Sequence, residues 1–211
     1  MSDTDEYEYQ YDDDVDSYCY PGSHVLINKF NLRKQEMLNI AERQITALKI
    51  AELERHPVKG VFDLMHMQAV HEFIFGDIYD WAGQIRGGDF LIKNESIFCR
   101  SMHIKNYANE IYKKLSEDNF LAGLNKLEFI RKLAFYMGEV NALHPFREGN
   151  GRTARLYFKQ LSNNAGYEIE FHKTTKEALL HADIQAFNKE YNPLVNVLNT
   201  IVSYVKKGHH I

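Results

Sequence analysis

The sequence predicts a mainly helical domain with one β-hairpin projecting from it. Three observations carry this. Seven stretches place apolar residues at three- and four-residue steps, the period of a helix with one buried face. One segment, 83–101, breaks that step with Gly83, Gly87 and Gly88 and then runs DFLIKNESIFC. Between two of the periodic stretches lies a connection far richer in chemistry than a loop needs, HPFREGNGRTAR at 144–155.

The elements follow in order. Residues 1–18 hold eight acids (Asp3, Asp5, Glu6, Glu8, Asp12, Asp13, Asp14, Asp16) and no base. A block of like charge reads as a disordered tail over 1–18, with a single folded domain over 19–211. The whole chain of 211 residues carries 25 Lys and Arg against 29 acids, net −4. Outside the tail the balance is 25 bases to 21 acids, net +4, too slight to argue for nucleic acid. Tyr20-Pro21-Gly22-Ser23 is a turn. Residues 35–55 form a helix striped by Leu38, Ala41, Ile45, Leu48 and Ala51, ended by Pro57 and Gly60. Residues 63–76 form a second, with Leu64, Met67, Val70 and Ile74 in line. In 83–101 two short apolar runs, Asp89–Ile92 and Ile97–Cys99, flank the polar tip Lys93 to Ser96, which reads as a hairpin and as the one strand-like region of the chain. Helices return at 103–116, 126–143, 151–164, 174–190 and 194–206, the last led by Pro193 and striped by Leu194, Val197, Leu198, Ile201 and Val205.

Composition excludes several classes. Two cysteines, Cys19 and Cys99, are too few for a disulfide scaffold and fit no zinc spacing, which points to a reducing compartment. The acidic start is unlike a signal peptide, and no apolar stretch of about 18 residues is long enough to span a membrane. A cytoplasmic protein with no membrane and no nucleic-acid partner is the expectation.

The connection at 144–155 is where chemistry concentrates. Gly149-Asn150-Gly151 tolerate positive φ and expose consecutive backbone N–H groups. Such a nest ahead of a helix N-terminus is an anion site. Arg152 and Arg155, three apart on that helix's first turn, are expected to point to one side, and arginine forks suit phosphate oxygens. Glu148 among phosphates makes sense if it holds a hard cation such as Mg²⁺. His144 heads the loop and is the group there that takes a proton near neutral pH. Singly, each residue has an ordinary reading: a tight turn, surface charge, a histidine at a helix end. Together they are the parts for transfer from a nucleotide.

The string HPFREGNGRTAR matches in full the signature of the Fic family, His-Pro-Phe-x-Asp/Glu-Gly-Asn-Gly-Arg-x-x-Arg. The resemblance extends over most of residues 18–200. Asp80-Trp81-Ala82-Gly83-Gln84-Ile85-Arg86 resembles the approach to the family's hairpin flap, and Tyr20-Pro21-Gly22 a turn found in many bacterial members. In detail the chain is similar to the toxins of bacterial Fic toxin–antitoxin pairs. The resemblance implies a Fic-type helical bundle with a β-hairpin flap. It implies a protein adenylyltransferase that moves AMP from ATP to a Tyr, Ser or Thr hydroxyl of a target protein and releases pyrophosphate. The family's Doc kinases carry Lys where this chain has Gly151, which favours transfer of AMP over the γ-phosphate. By the same resemblance His144 deprotonates the acceptor and Phe146 fixes the loop from the core. Glu148 holds Mg²⁺ across the α- and β-phosphates. Gly149, Asn150 and Gly151 line the anion hole, with the Asn150 side chain on the α-phosphate. Arg152 takes the β-phosphate region and Arg155 the γ-phosphate. The alternatives are transfer of UMP, phosphocholine or phosphate, since nothing in the signature reads the base, and a catalytically silent binding module, which would have no need of His144.

The toxin branch implies essential bacterial targets, type II topoisomerase subunits being the family-level candidate, in the host's cytoplasm or in another cell reached by secretion. It also implies a small inhibitory antitoxin. Self-inhibited members carry Ser/Thr-x-x-x-Glu-Gly/Asn. Here only Ser2 to Glu6 and Thr4 to Glu8 have the spacing, each followed by Tyr. The hairpin offers an edge to which an extended target strand can add, with Phe90, Ile92, Lys93 and Phe98 as docking residues. His66 and His71, five apart, fit no metal spacing and read as packing histidines. Cys99 reads as an apolar packer, Trp81 as an anchor under the hairpin base, and Tyr7, Tyr9, Tyr11, Tyr18 and Tyr20 as tail composition that also offers hydroxyls for self-modification.

Overall fold

The computed structural model describes residues 9–11, 17–88, 91–93 and 96–205. In chain order these form β1 (Tyr9–Tyr11), α1 (Gln35–Arg55), α2 (Leu64–Phe75), β2 (Leu91–Lys93), β3 (Ser96–Ile97), α3 (Ser101–Glu117), α4 (Lys126–Leu143), α5 (Asn150–Asn164), β4 (Tyr167–Ile169), α6 (Lys176–Phe187), α7 (Asn192–Ile201) and β5 (Val202–Tyr204). The predicted class, mainly helical with an antiparallel hairpin, is the observed one.

Local chemistry sets the helix starts. The Asp63 carboxylate accepts from the N–H of His66 at 2.8 Å ahead of α2. Asn125 accepts from the N–H of Glu128 at 3.1 Å and donates to its side chain at 2.7 Å ahead of α4. Thr175 accepts from the N–H of Ala178 at 3.1 Å ahead of α6. Each satisfies a first-turn N–H that the helix itself leaves without a partner. Pro193 stands in the first turn of α7, where its missing N–H costs nothing.

α4 is the axis of the molecule. It buries residues all round its circumference, among them Phe129, Ile130, Leu133, Tyr136, Met137 and Val140, and it packs against α3, α5, α6 and α7. This main core also takes in Tyr157, Phe158 and Leu161 of α5. A second cluster gathers the segment 19–26, α1, α2 and Ile78, Tyr79 and Ala82 against Leu156 of α5. The signature connection between α4 and α5 therefore sits where the two cores meet.

Four expectations are corrected. The hairpin is not the only strand region: β4 and β5 pair antiparallel, Tyr167 with Tyr204 and Ile169 with Val202. The predicted helix 194–206 stops at Ile201, because Val202 and Tyr204 are β-prone and find a partner strand, with the Tyr204 ring 4.9 Å from that of Tyr167. On α1 the buried face is Leu38, Thr46 and Leu53. Leu48 is 74% exposed, because the face is turned to bring Glu42 and Thr46 inward. Tyr9–Tyr11, assigned to a solvated tail, form β1 on the hairpin, in a sheet ordered β1-β2-β3. Among the described residues the hairpin strands are Leu91–Lys93 and Ser96–Ile97. Phe90 lies outside the described residues, as do residues 1–8, 12–16 and 206–211.

Candidate active site

The α4–α5 connection is held from three sides. At the end of α4, His144 has φ 44° and ψ 61°, and this left-handed residue turns the chain out of the helix. Its Nδ1 lies 3.3 Å from the carbonyl of Asn141. A carbonyl only accepts, so Nδ1 carries the proton and Nε2 holds the lone pair. The ring stacks on Phe98 at 3.8 Å, and the residue is 6% exposed.

The flap is bolted to the same place. The N–H of Arg86 donates to the carbonyl of Pro145 at 2.9 Å, and the N–H of Cys99 to that of Ala142 at 3.0 Å. The Arg86 side chain donates to the carbonyls of His144 and Cys99. Burial pushes the Cys99 thiol pKa up, with Arg86 opposing, so the packing role stands. Phe98, read as a target-docking residue, is buried against His144 and Phe187. It sets the plane of the histidine ring instead of meeting a target. Ile92 and Lys93 lie in β2, opposite Ile97 and Ser96 on one side and Gln10 and Tyr9 on the other.

The loop's underside rests on His71. Gly83 donates its N–H to His71 Nδ1 at 2.9 Å, so Nε2 carries the proton and donates to the carbonyl of Glu148 at 2.9 Å. The ring stacks on Phe146 at 4.0 Å. Burial, with a smaller push from Arg152, lowers the His71 pKa to about 4, so it is neutral near pH 7. Phe146 is fully buried, as expected of the residue that anchors the loop. Asn150 accepts from the N–H of Phe146 at 2.9 Å and donates to its carbonyl at 2.8 Å. Gly149 has φ 81°, and a Cβ there would lie 2.3 Å from the Phe75 ring. Both conformation and space demand glycine. The result is a helix N-terminus with no side-chain cap, and N–H groups so placed are able to receive an anion.

The two arginines part company. Arg152 turns toward α1 and α2: its Nη2 donates to Glu42 at 2.6 Å and sits 3.7 Å from Glu148, with the guanidinium 4.7 Å over the Phe75 ring. Burial works against its charge, but Glu42 and Glu148 more than offset this and hold its pKa above the usual arginine value. Tyr79 donates to the other oxygen of Glu42. Arg155 lines a cleft together with Asn150, Gly151, Asn141 and Asp183. The expectation that both arginines share one side fails because carboxylates on two different helices, Glu42 on α1 and Asp183 on α6, flank them. Glu148 accepts from the N–H of Gly149 at 2.8 Å.

Sequence reasoning missed Glu42, His71, Arg86 and Asp183 as parts of this site. Only Glu42 left a signal: with Thr46 it interrupts an otherwise apolar helix face at a four-residue step.

The sequence is 36% identical over 188 residues to a probable protein adenylyltransferase Fic of Escherichia coli K12, covering 89% of this chain and 92% of that one. A profile of the Fic/DOC family matches residues 61–162, which contain the whole signature. The chain belongs to the Fic/DOC family. It is also 38% identical over 178 residues to the protein adenylyltransferase VbhT of Bartonella schoenbuchensis, where it spans 84% of its own length and 37% of the relative's. Among solved structures it is similar to the BepC protein of Bartonella tribocorum with bound AMPPNP, at TM-score 0.85 and 25% identity over 90% of this chain and 98% of that one. A Fic domain from Bartonella quintana with bound ADP matches at TM-score 0.86 and 27% identity, over 90% and 96% of the two chains.

Proposed function

We propose that this family member is a protein adenylyltransferase, moving AMP from ATP to a Tyr, Ser or Thr hydroxyl of a protein. The observation that carries the reading is the juxtaposition of a histidine whose Nε2 holds a lone pair with an uncapped helix N-terminus one loop away. Relatives named protein adenylyltransferase support it. So do neighbours solved with AMPPNP and ADP.

In this reading the acceptor oxygen attacks the α-phosphorus, Nε2 of His144 takes its proton, and pyrophosphate leaves. The α5 N-terminus and Gly151 bind phosphate through backbone N–H groups. Asn150 spends its oxygen and one hydrogen on Phe146, and its second amide hydrogen serves the α-phosphate. Arg155 binds the terminal phosphate in the cleft. Arg152 holds Glu148 and the helix start and takes the β-phosphate region. Among the described residues no three His, Cys, Asp or Glu side chains cluster. A Mg²⁺ here would therefore rest on the Glu148 carboxylate, with phosphate oxygens and water completing the shell, as this cation commonly does. When bound it neutralises phosphate charge.

Restraint is proposed to come from a second chain bringing a carboxylate to Arg155, since neither Ser2 to Glu6 nor Thr4 to Glu8 completes the inhibitory pattern. The expected role is that of a bacterial toxin acting on an essential protein in the cytoplasm, topoisomerase subunits included. Among the described residues no helix is long and apolar enough to cross a membrane.

The test is incubation with ATP and a bacterial lysate, read by mass spectrometry. Lysate proteins gaining AMP, and losing that gain with a His144→Asn variant, support the reading. Transfer of another moiety, or undiminished transfer by the variant, overturns it.

A further inference from the structure

Glu42 belongs to α1, and no step of the transfer reading calls on it. Yet both of its oxygens are engaged beside the signature loop. Oε1 accepts from Nη2 of Arg152 at 2.6 Å, and Oε2 accepts from the hydroxyl of Tyr79, itself 1% exposed. Arg152 is fixed on other sides too. Its Nη1 donates to the Thr46 hydroxyl at 3.5 Å, and its guanidinium lies over the Phe75 ring. The same Nη2 reaches Oε1 of Glu148 only at 3.7 Å, beyond hydrogen-bond range. Two carboxylates from distant parts of the chain thus compete for one guanidinium, and the one on α1 takes the hydrogen bond.

Charge makes that choice matter. With Arg152 between Glu42 and Glu148, the group keeps one negative charge in excess. Were Glu42 neutral, the guanidinium fork would close on Glu148, and the two charges would cancel. A hard dication is held by carboxylate oxygens that have kept their charge. Among the described residues both contacts of the Glu148 side chain, from the Gly149 N–H at 2.8 Å and from Arg152, fall on Oε1. Oε2 is the oxygen left to a cation.

We propose that Glu42 is a positioning residue for the divalent cation: by holding Arg152 toward α1, it keeps the Glu148 carboxylate charged and open to Mg²⁺. The inference rests on the reading of Glu148 as the cation's carboxylate in AMP transfer. It places a determinant of cation affinity on α1, outside the signature.

The test is direct binding, with Mn²⁺ as the probe. Its paramagnetic resonance signal is followed as it is titrated into the full chain with ADP present, and ADP affinity is measured separately in a chelator. Glu42→Gln keeps the shape of the side chain and still accepts from Tyr79 and Arg152. It is expected to weaken Mn²⁺ binding by about 10–100-fold, the usual cost of losing a contact that supports a metal ligand. Cation-free ADP binding is expected to hold or to tighten, since a negative charge beside the phosphate site is gone. Tyr79→Phe removes a hydrogen bond but no charge, and is expected to bind Mn²⁺ as the parent does. In a Glu148→Gln background, itself weak for Mn²⁺, Glu42→Gln is expected to add no further loss. Equal losses of Mn²⁺ and cation-free ADP binding, a matching Mn²⁺ loss in Tyr79→Phe, or full additivity in the double variant overturns the proposal. Mn²⁺ affinity kept by Glu42→Gln and lost by Glu148→Gln sinks Glu42 alone. Affinity kept by both sinks the Glu148 reading with it.

Discussion

Arg86 Nε donates to the carbonyl of His144 at 2.8 Å, from a side chain only 3% exposed. The same guanidinium serves the carbonyl of Cys99, so one residue ties the flap's far end to the histidine's own peptide. Arg86→Lys offers one donor head where a planar fork is needed. It leaves a buried carbonyl without its partner, at about 1–3 kcal/mol. Urea unfolding of the variant is expected to show that loss. AMP transfer is expected to fall further than nucleotide binding, measured by titration with AMPPNP, because the histidine is displaced while the anion cradle is not.

His144 stands at φ 44°, which changes the choice of a base-dead variant. Alanine, the natural first choice, carries a left-handed strain of about 1–2 kcal/mol that asparagine largely escapes. Both His144→Ala and His144→Asn are expected to lower transfer by about 10²–10⁴-fold. The alanine variant is expected to melt lower than the asparagine one. Paired thermal melts and single-turnover transfer rates check both parts, and equal melting would count against the strain.

Asp183 lines the cleft proposed to take nucleotide, with Arg155. Burial raises its pKa from the usual carboxylate range to about 7, against the pull of Arg155. A carboxyl raised on folding contributes stability that is present at low pH and is lost as pH rises through the folded value. Bound phosphate favours the neutral form further, so AMPPNP affinity is expected to weaken as pH rises from about 6 to 8. Asp183→Asn is expected to bind more tightly at the upper end and to flatten the difference. A titration series on both proteins measures it, and parallel pH profiles would sink the idea.

His71 shows the opposite sign. Its pKa falls on folding from 6.5 to about 4, chiefly by burial. Its contribution is present above pH 6.5 and is lost as pH falls toward 4. A drop of about 2–3 kcal/mol across that window follows from the linkage. His71→Phe keeps the stack on Phe146 and loses the proton. It is expected to start less stable at neutral pH, because Gly83 and Glu148 lose their partner, and to show a shallower acid slope in urea unfolding.

The helices were legible in the sequence because apolar residues recur along them at three- and four-residue steps. The signature loop was legible because its residues are contiguous. What lay outside reach came from tertiary partners. Val202 and Tyr204 continue the apolar step of α7 and become a strand only because Tyr167–Ile169 is there to pair with. Nothing in the sequence near Arg152 says that Glu42, 110 residues earlier, will hold it. Phe98 reads as an exposed strand aromatic until the end of α4 delivers His144 beneath it. Arg86 and His71 act through backbone groups, which leave no residue-type signal.

α5 has a different packing partner on each flank. Leu156 belongs with α1 and α2, and Tyr157, Phe158 and Leu161 with α4 and its neighbours. Arg152 is held from the first side, and Arg155 looks into a cleft built on the second. α5 is therefore a seam, and neither half of the protein holds the signature loop by itself. Catalytic competence is a cooperative property of the docked halves. An opening that frees α1 and α2 removes Glu42 from Arg152 and Phe75 from Gly149 while α4 and its partners keep their helices. Hydrogen exchange at the first-turn amides of α5 reports that opening directly. As temperature rises, the enzyme is set to fall silent before most of its helical structure is lost.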